Sequence, residues 1–563
     1  MKTLITIACL SVFSLAALPE LKVNTKNGVA INSPAANLYT QAQQNSNNCQ
    51  NHLIFVHNYV PMELTLTDAA HPENNISVSG YKDSIRGRGN STWAGDKKPY
   101  RIRFDEHKSM FGSKKHKSWA LLANWYDQTF ALNAVGFELG KRIGIPGTPN
   151  QFIVDFYLNN EYKGIYQITD LVQVNKGRLE IDENEGWLVE FDYHCPSKST
   201  EVDFATDYPT SPSGSKLHTF IKSPEDLPKL SDYDFVKRDV NNLTSAMFNK
   251  SGFPNNGYRD LVDLESVAKY LMLEQFIDNF DFNNKSNNSG FPASNFFHKD
   301  KGGKIKAGPI WDLDLTAGVE YATFPTHFKT DKTPVMPRHA FYKKFFEDTL
   351  FLIKFKKAWI KYKPDIEAMS KQNGFIDSIA TAVQGSVERN FALQLGDNKT
   401  CNDSGSNTCK RGAGGFSGMA PIVLGNLQAY KAKVDTLKIW WGKRIAFFQQ
   451  EMDKWNIDLS KDIEDPQPSS SSKPTTSSSS SNISSSSIRA SSSSGATTSI
   501  HLSQSKPQGA KIEVYNLQGK LIYSGYSENL EIPKLPVQTK GMYIIKIKQE
   551  NSAPTYQNRI YLY

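Results

Sequence analysis

Between Asp465 and Ser499 the chain is almost entirely Ser, Thr and Pro. Such a stretch carries too little apolar surface to offset the entropy of ordering it, so it cannot join a packed core. It reads as a linker spanning 461–505, and it cuts the 563 residues into a long front portion and a short tail at 506–563. The front portion, with hydrophobic residues at 39% across the chain, is long enough to bury a sizeable core.

The beginning of the chain reads as a secretory leader over 1–17. Lys2 supplies the positive start, Leu4 to Leu15 a short apolar run, and Ser14-Leu15-Ala16 the small-residue cleavage pattern. No later run reaches about 18 uninterrupted apolar residues, so no transmembrane span is expected. The formal charge of +8 is modest for this length, and Lys and Arg lie scattered among Asp and Glu, which argues against nucleic acid as a partner. Four cysteines follow the leader: Cys49, Cys195, Cys401 and Cys409. An exported chain meets oxidising conditions, where Cys401 and Cys409, bracketing a short polar loop, are the pair expected to bridge. Cys49 with Cys195 is the remaining option. No Cys-x-x-Cys pair calls for zinc.

Residues 18–78 read as a β-rich lead-in, with Met62-Glu-Leu-Thr-Leu-Thr67 alternating as a strand does. Then Arg86-Gly-Arg-Gly-Asn-Ser-Thr-Trp93 forms a glycine-broken turn whose backbone can approach an anion. Lys97-Lys-Pro-Tyr-Arg-Ile-Arg-Phe104 follows as a strand with Arg101 and Arg103 on one face and Ile102 and Phe104 on the other. Such a row of cations either contacts phosphates or is an ordinary solvated face. Asp127 to Gly144 reads as a helix closed by Gly144-Ile-Pro-Gly147. On it, Glu138 pairs either with a basic strand residue or with Arg142 at i+4.

Asp263 caps a second helix, with Leu264, Val267, Ala268 and Leu271 at helical spacing, that delivers Asn279-Phe280-Asp281. A hairpin turn at Lys299–Lys304 precedes Gly308-Pro-Ile-Trp-Asp-Leu-Asp-Leu315, where Asp314 is expected to share a strand face with Asp312. An Asp, a following Asn and a later Asp are the parts of a phosphoryl-transfer site: one carboxylate receives a hydroxyl proton, and the other two hold Mg²⁺ on phosphates. The same residues also favour plain solvated turns. Residues 340–395 and 420–455 read as aromatic-rich helices.

The two segments around Arg86 and Arg101, with Ser118-Trp-Ala-Leu-Leu-Ala-Asn-Trp125, Phe137-Glu-Leu-Gly140, Leu158-Asn-Asn-Glu-Tyr-Lys-Gly-Ile-Tyr166 and Gly308–Leu315, closely resemble the signature of the spore coat protein H (CotH) kinase family. The resemblance runs from about residue 20 to 455 and is assigned to a domain at 79–460. It implies an α+β, atypical protein-kinase-like two-lobed fold that uses ATP and Mg²⁺ to phosphorylate Ser or Thr of a protein substrate. It also implies roles. Asp281 is the catalytic base; Arg86, Arg88, Lys98, Arg101, Arg103 and Glu138 serve the nucleotide; Asn295, Asp312 and Asp314 serve the metal. The chain departs from the family pattern after Asp281, where the residue five positions on is Ser286. An insertion over about 287–293 accounts for this and makes Asn295 the metal-binding Asn.

The tail, with Lys511–Tyr523 as a hairpin around Gly519 and further strands at Gly541–Lys548 and Arg559–Tyr563, resembles the β-sandwich sorting domains of the type IX secretion pathway. Secretion machinery is the partner this implies, and a secreted or cell-surface location follows. Two functional classes fit: an exported ATP-dependent kinase, or a surface scaffold or binding protein that keeps the kinase-like shape without catalysis, beside polysaccharide-degrading machinery.

Overall fold

The computed structural model describes residues 17–36, 54–89, 91–192, 201–208, 216–225, 227–283, 292–318, 331–395, 399–401, 408–411, 423–462, 510–516, 521–527, 541–549 and 557–562. The expected leader (all but its last residue), nearly all of the linker, Cys49 and Cys195 lie outside the described residues. The chain forms two units, Met1–Pro466 and Gln467–Tyr563.

The first unit begins with a closed barrel of seven strands: β1 (Glu20–Thr25), β2 (Val60–Thr67), β3 (Ile76–Gly87), β4 (Tyr100–Lys108), β5 (His116–Leu122), β6 (Gln151–Leu158) and β7 (Glu161–Thr169). Their order around the barrel is β1-β2-β3-β4-β5-β7-β6, and β6 returns to pair in parallel with β1, Glu20 opposite Asp155. Side chains alternate across a strand, so one set can fill the barrel while the other faces outward. Leu21, Val23, Met62, Leu64, Leu66, Ile102 and Phe104 are fully buried on this basis, whereas Arg101 and Arg103 take the opposite face of β4. The stretch expected as a separate lead-in is therefore built into the barrel. Its strands bury one face and hydrogen-bond on both edges, an arrangement that standing apart would forfeit.

After β5 the chain enters α1 (Leu132–Ile143). The helix starts later than its expected position at Asp127 because Phe130 is left-handed, at φ 58°. Asp127 closes that turn instead: its carboxylate accepts from Thr129 N and from Leu132 N, each at 2.8 Å. Gly144, at φ 78°, ends the helix as expected. The hairpin of β6 and β7 turns at Asn159 and Asn160, both left-handed.

A five-stranded sheet follows, with β8 (Trp187–Phe191), β9 (Val202–Ala205), β10 (His218–Ser223), β11 (Asn295–Lys299) and β12 (Ile305–Ala307) in the order β9-β10-β8-β11-β12. Helices α2 (Asp234–Phe248), α3 (Leu264–Phe276), α4 (Thr349–Ser370), α5 (Phe375–Val383), α6 (Val387–Leu395) and α7 (Leu427–Asp453) complete the unit. Asp263 caps α3 by accepting from Ser266 N at 2.9 Å. On α7, the buried Arg444 guanidinium donates to the carbonyls of Gln275, Phe276, Asp331 and Thr333. It thereby satisfies carbonyls that the C-terminus of α3 would leave orphaned. The base of α6 is tied to the barrel through Asp155, which accepts from Tyr162 and Ser386 hydroxyls at 2.6 Å and pairs with Arg389 at 2.8 Å.

A small three-stranded sheet sets Cys401 opposite Cys409 in register. Opposed residues of an antiparallel pair have α-carbons about 4.5–5.5 Å apart, a separation a disulfide spans. Among the described residues no helix is long and apolar enough to cross a membrane.

In the second unit the described residues form one four-stranded antiparallel sheet. Its strands β13 (Ala510–Asn516), β14 (Leu521–Ser527), β15 (Gly541–Gln549) and β16 (Gln557–Leu562) lie in the order β14-β13-β15-β16. The hairpin and both later strands match the sequence reading. The second layer of the expected sandwich is not among the described residues.

Two glycines let α1 carry the segment that follows β12. A Cβ on Gly136 would lie 2.1 Å from Leu313 Cδ1, and one on Gly140 would lie 3.0 Å from Ile310 Cγ2. Alanine at 136 gains about 1 kcal/mol of helix propensity but overpacks Leu313, at about 1–3 kcal/mol. Gly136→Ala is expected to lower the thermal midpoint, and the double variant with Leu313→Ala to lose less than the sum of the two single losses. A double-mutant cycle read by calorimetric melting checks this; strictly additive losses would contradict the contact.

Candidate functional site

Asp281 and the Asp312–Asp314 segment meet because the chain zips two loops together. Phe280 N donates to Leu315 O at 3.0 Å, and Ala317 N donates to Ile277 O at 2.7 Å. Asp281 N donates to Asn279 Oδ1 at 3.1 Å, while Asp281 O accepts from Ala293 N at 2.9 Å. The chain that leaves Asp281 thus comes back to it at Ala293. Of the expected insertion at about 287–293, residues 287–291 lie outside the described residues, as do 284–286 before it.

The Gly308–Leu315 segment is not the strand expected. Asp312 is left-handed at φ 60°, which breaks the alternation that a shared strand face with Asp314 would need. Leu313 N donates to Asn133 Oδ1 on α1 at 3.0 Å, and Trp311 stacks on Phe137 at 5.9 Å. Asp312 Oδ2 accepts from Ser294 Oγ at 3.1 Å, and Ser294 N donates to Asp192 at the same distance. Asp314 is buried, and burial together with Asp312, Asp281 and Asp127 holds its pKa well above the usual carboxylate range.

The turn after β3 brings Arg88 to these carboxylates, and the outer face of β3 and β4 carries further cations. Arg86 and Arg101 are cross-strand partners, and the Arg86 and Arg103 guanidiniums lie 5.2 and 5.8 Å from the Tyr59 ring. Arg101 donates to Ser118 Oγ at 3.2 Å, while its buried Nε has no hydrogen-bond partner among the described residues. Burial keeps the Arg101 pKa below its ordinary value. Arg88 reaches furthest, with its guanidinium 5.4 Å from the Trp311 ring. Burial lowers its pKa to about 10, against the opposing pull of Asp312 and Asp314. His57 props the turn, with Nε2 3.0 Å from Gly89 O; burial, then Arg86 and Arg88, take its pKa down to about 4.

Three expected site residues point to other work. Lys98 Nζ donates to Trp93 O at 2.6 Å and lies over the Trp93 ring, so it braces the turn. Glu138 takes the second of its two alternatives, the ion pair with Arg142 at 2.8 Å; Arg142 in turn reaches Asp365. Asn295 is 1% exposed, with Oδ1 accepting from Tyr342 at 2.8 Å and Nδ2 donating to Ala293 O. Both ends of its amide are satisfied by protein, and the neighbouring Ser294 faces Asp312 instead.

Sequence reasoning missed Asn133, Asp192, Glu274 and Ser294. Of these only Glu274 left a trace, as a charged residue inside the apolar run Leu271–Phe276. Among the described residues no three His, Cys, Asp or Glu side chains gather into a ready metal cage. Magnesium on a nucleotide needs only one or two carboxylates, because phosphate oxygens and water fill the rest of its shell. The arrangement therefore offers hard oxygen ligands on one side and an arginine face, with an unspent donor on Arg101, on the other. That donor set suits a polyanion carrying a divalent cation.

Residues 85–444 match the family model described as CotH kinase protein, and residues 495–561 match the one described as secretion system C-terminal sorting domain. No curated protein matches the chain. The first match spans well over half of the molecule and takes in the arginine face, α1, the Asp281 loop and the Asp312 segment together. This chain belongs to the CotH kinase family and ends in a secretion sorting domain that marks it for export.

Proposed function

We propose that this protein is an exported atypical protein kinase that transfers the γ-phosphate of ATP to Ser or Thr hydroxyls of extracytoplasmic proteins. The observation that carries the reading is the approach of Arg88, from the glycine turn, to Asp312 and Asp314 beside Asp281. In this reading the barrel, with its arginine face, is the nucleotide-side lobe. The five-stranded sheet and helices form the second lobe, and the cleft lies between them.

Phosphoryl transfer asks little covalent chemistry of a protein; positioning and charge stabilisation carry the rate. Arg86, Arg88, Arg101 and Arg103 bind phosphate oxygens, the guanidinium fork matching their geometry. Asp312 and Asp314 are the residues that would hold magnesium, which would supply charge neutralisation on the phosphates. Burial and the neighbouring carboxylates raise the Asp314 pKa, and an adjacent positive charge would act in the opposite direction. Asp281 orients the acceptor hydroxyl and receives its proton. Ser294 holds the Asp312 carboxylate in place.

Calorimetry of ATP with Mg²⁺, paired with transfer of labelled phosphate to casein and to the chain itself, separates these roles. Asp312→Ala is expected to lose nucleotide binding and turnover together. Asp281→Ala should keep binding and lose about 10²–10⁴-fold in turnover, and Arg101→Ala or Arg103→Ala should mainly weaken ATP binding. Unchanged binding in Asp312→Ala would remove it from the metal site. A wild-type chain that binds no nucleotide would hand the molecule to the scaffold reading.

The sorting domain gives a second expectation. Deleting 506–563 should stop delivery to the cell surface while the first unit, with its own core, stays folded. Surface labelling of cells with circular dichroism of the purified truncation tests both halves; normal delivery would show that this domain is not the address.

A further inference from the structure

Glu274 lies on the last turn of α3 and is 2% exposed. A carboxyl group there adds nothing to the apolar core. Its Oε2 accepts from Asn279 Nδ2 at 2.9 Å, and its main-chain carbonyl accepts from Asn279 N at 3.2 Å. Asn279 is thus held at both its backbone and its side chain. Its remaining amide oxygen accepts from Asp281 N at 3.1 Å. Between Glu274 and Asn279 the main chain passes through Asp278 at φ 53°, a conformation that a non-glycine residue keeps only when its surroundings enforce it.

We propose that Glu274 is the positioning residue for Asp281: it clamps Asn279, and Asn279 sets the backbone from which Asp281 projects. The consequence for turnover rests on the kinase reading, whereas the clamp itself does not. Burial raises the Glu274 pKa to about 8, and Asp281 and Asp312 push it the same way. The group is therefore mostly uncharged at neutral pH, and it holds Asn279 without adding a negative charge beside Asp281. Glutamine, which is neutral, of the same shape and still an acceptor, should replace it. Leucine fills the space but cannot accept.

The test compares Glu274→Gln with Glu274→Leu in the full chain by three measurements. These are hydrogen exchange in peptides covering 277–283, calorimetric binding of ATP with Mg²⁺, and labelled-phosphate transfer to casein. The leucine variant should exchange faster across 279–281, bind ATP as the wild type does and lose about 10²-fold in turnover, as a small misplacement of a reacting group does. The glutamine variant should match the wild type in all three. Unchanged exchange in the leucine variant overturns the clamp. Loss of ATP binding in step with turnover, or a glutamine variant as impaired as the leucine one, overturns the positioning role. If the leucine variant does not fold, Asn279→Ala must reproduce the faster exchange or the proposal fails. Should the wild type transfer no phosphate, the kinase reading falls and the exchange measurement alone decides the clamp.

Discussion

Like charges cannot share a space that excludes water unless something relieves them. At an effective dielectric of about 20, two unit charges roughly 4 Å apart interact with ~4 kcal/mol, a large fraction of a domain's net stability. Burial first, and then the nearby Asp281 and Asp312, raise the pKa of both Asp314 and Glu274. Two forms of relief are visible. Burial favours the protonated forms of Asp314 and Glu274, and Arg88 arrives from the barrel as a counter-charge. The second ties the placement of β3 to that of the loops beyond α3, so the barrel and the helical part of the first unit are coupled through the site itself.

Rigid support surrounds that charged space. The glycine face of α1 admits Ile310 and Leu313 at close range, so the segment bearing Asp312 rests on a helix rather than on solvent. Arg444 gathers two carbonyls at the end of α3 and two more from Asp331 and Thr333, and at the helix end a cation also complements the negative end of the dipole. The loop that follows therefore leaves from an anchored point and returns to one at Ala293.

What was legible in the sequence was local. The Asp263 cap, the Asn159-Asn160 turn, the hairpin before Gly308 and the alternation of Arg101 and Arg103 each depend on residues within a few positions, and each stands as read. The failures were of longer reach. Nothing near Asn295 announces that Tyr342 will take its amide oxygen, and nothing near Glu20 announces a partner at Asp155. From the sequence, Asp312 is expected to share a strand face with Asp314, two residues on. Its left-handed backbone comes from packing on α1, which periodicity does not encode. The late start of α1 is local in origin, since the carboxylate of Asp127 serves the turn before the helix as well as the helix itself.

The closing strand of the barrel has a kinetic meaning. Thr25 on β1 hydrogen-bonds Asn159, 134 positions further along, and the parallel pairing of β1 with β6 cannot form until everything between has emerged. Local contacts form first and long-range ones late, because closing a large loop costs entropy before any contact repays it. The barrel should thus be the slow element to assemble and, once shut, should have no edge strand on which another chain could nucleate. Once shut, the ring resists unravelling from its end, because β1 is held on both edges, by β2 and by β6.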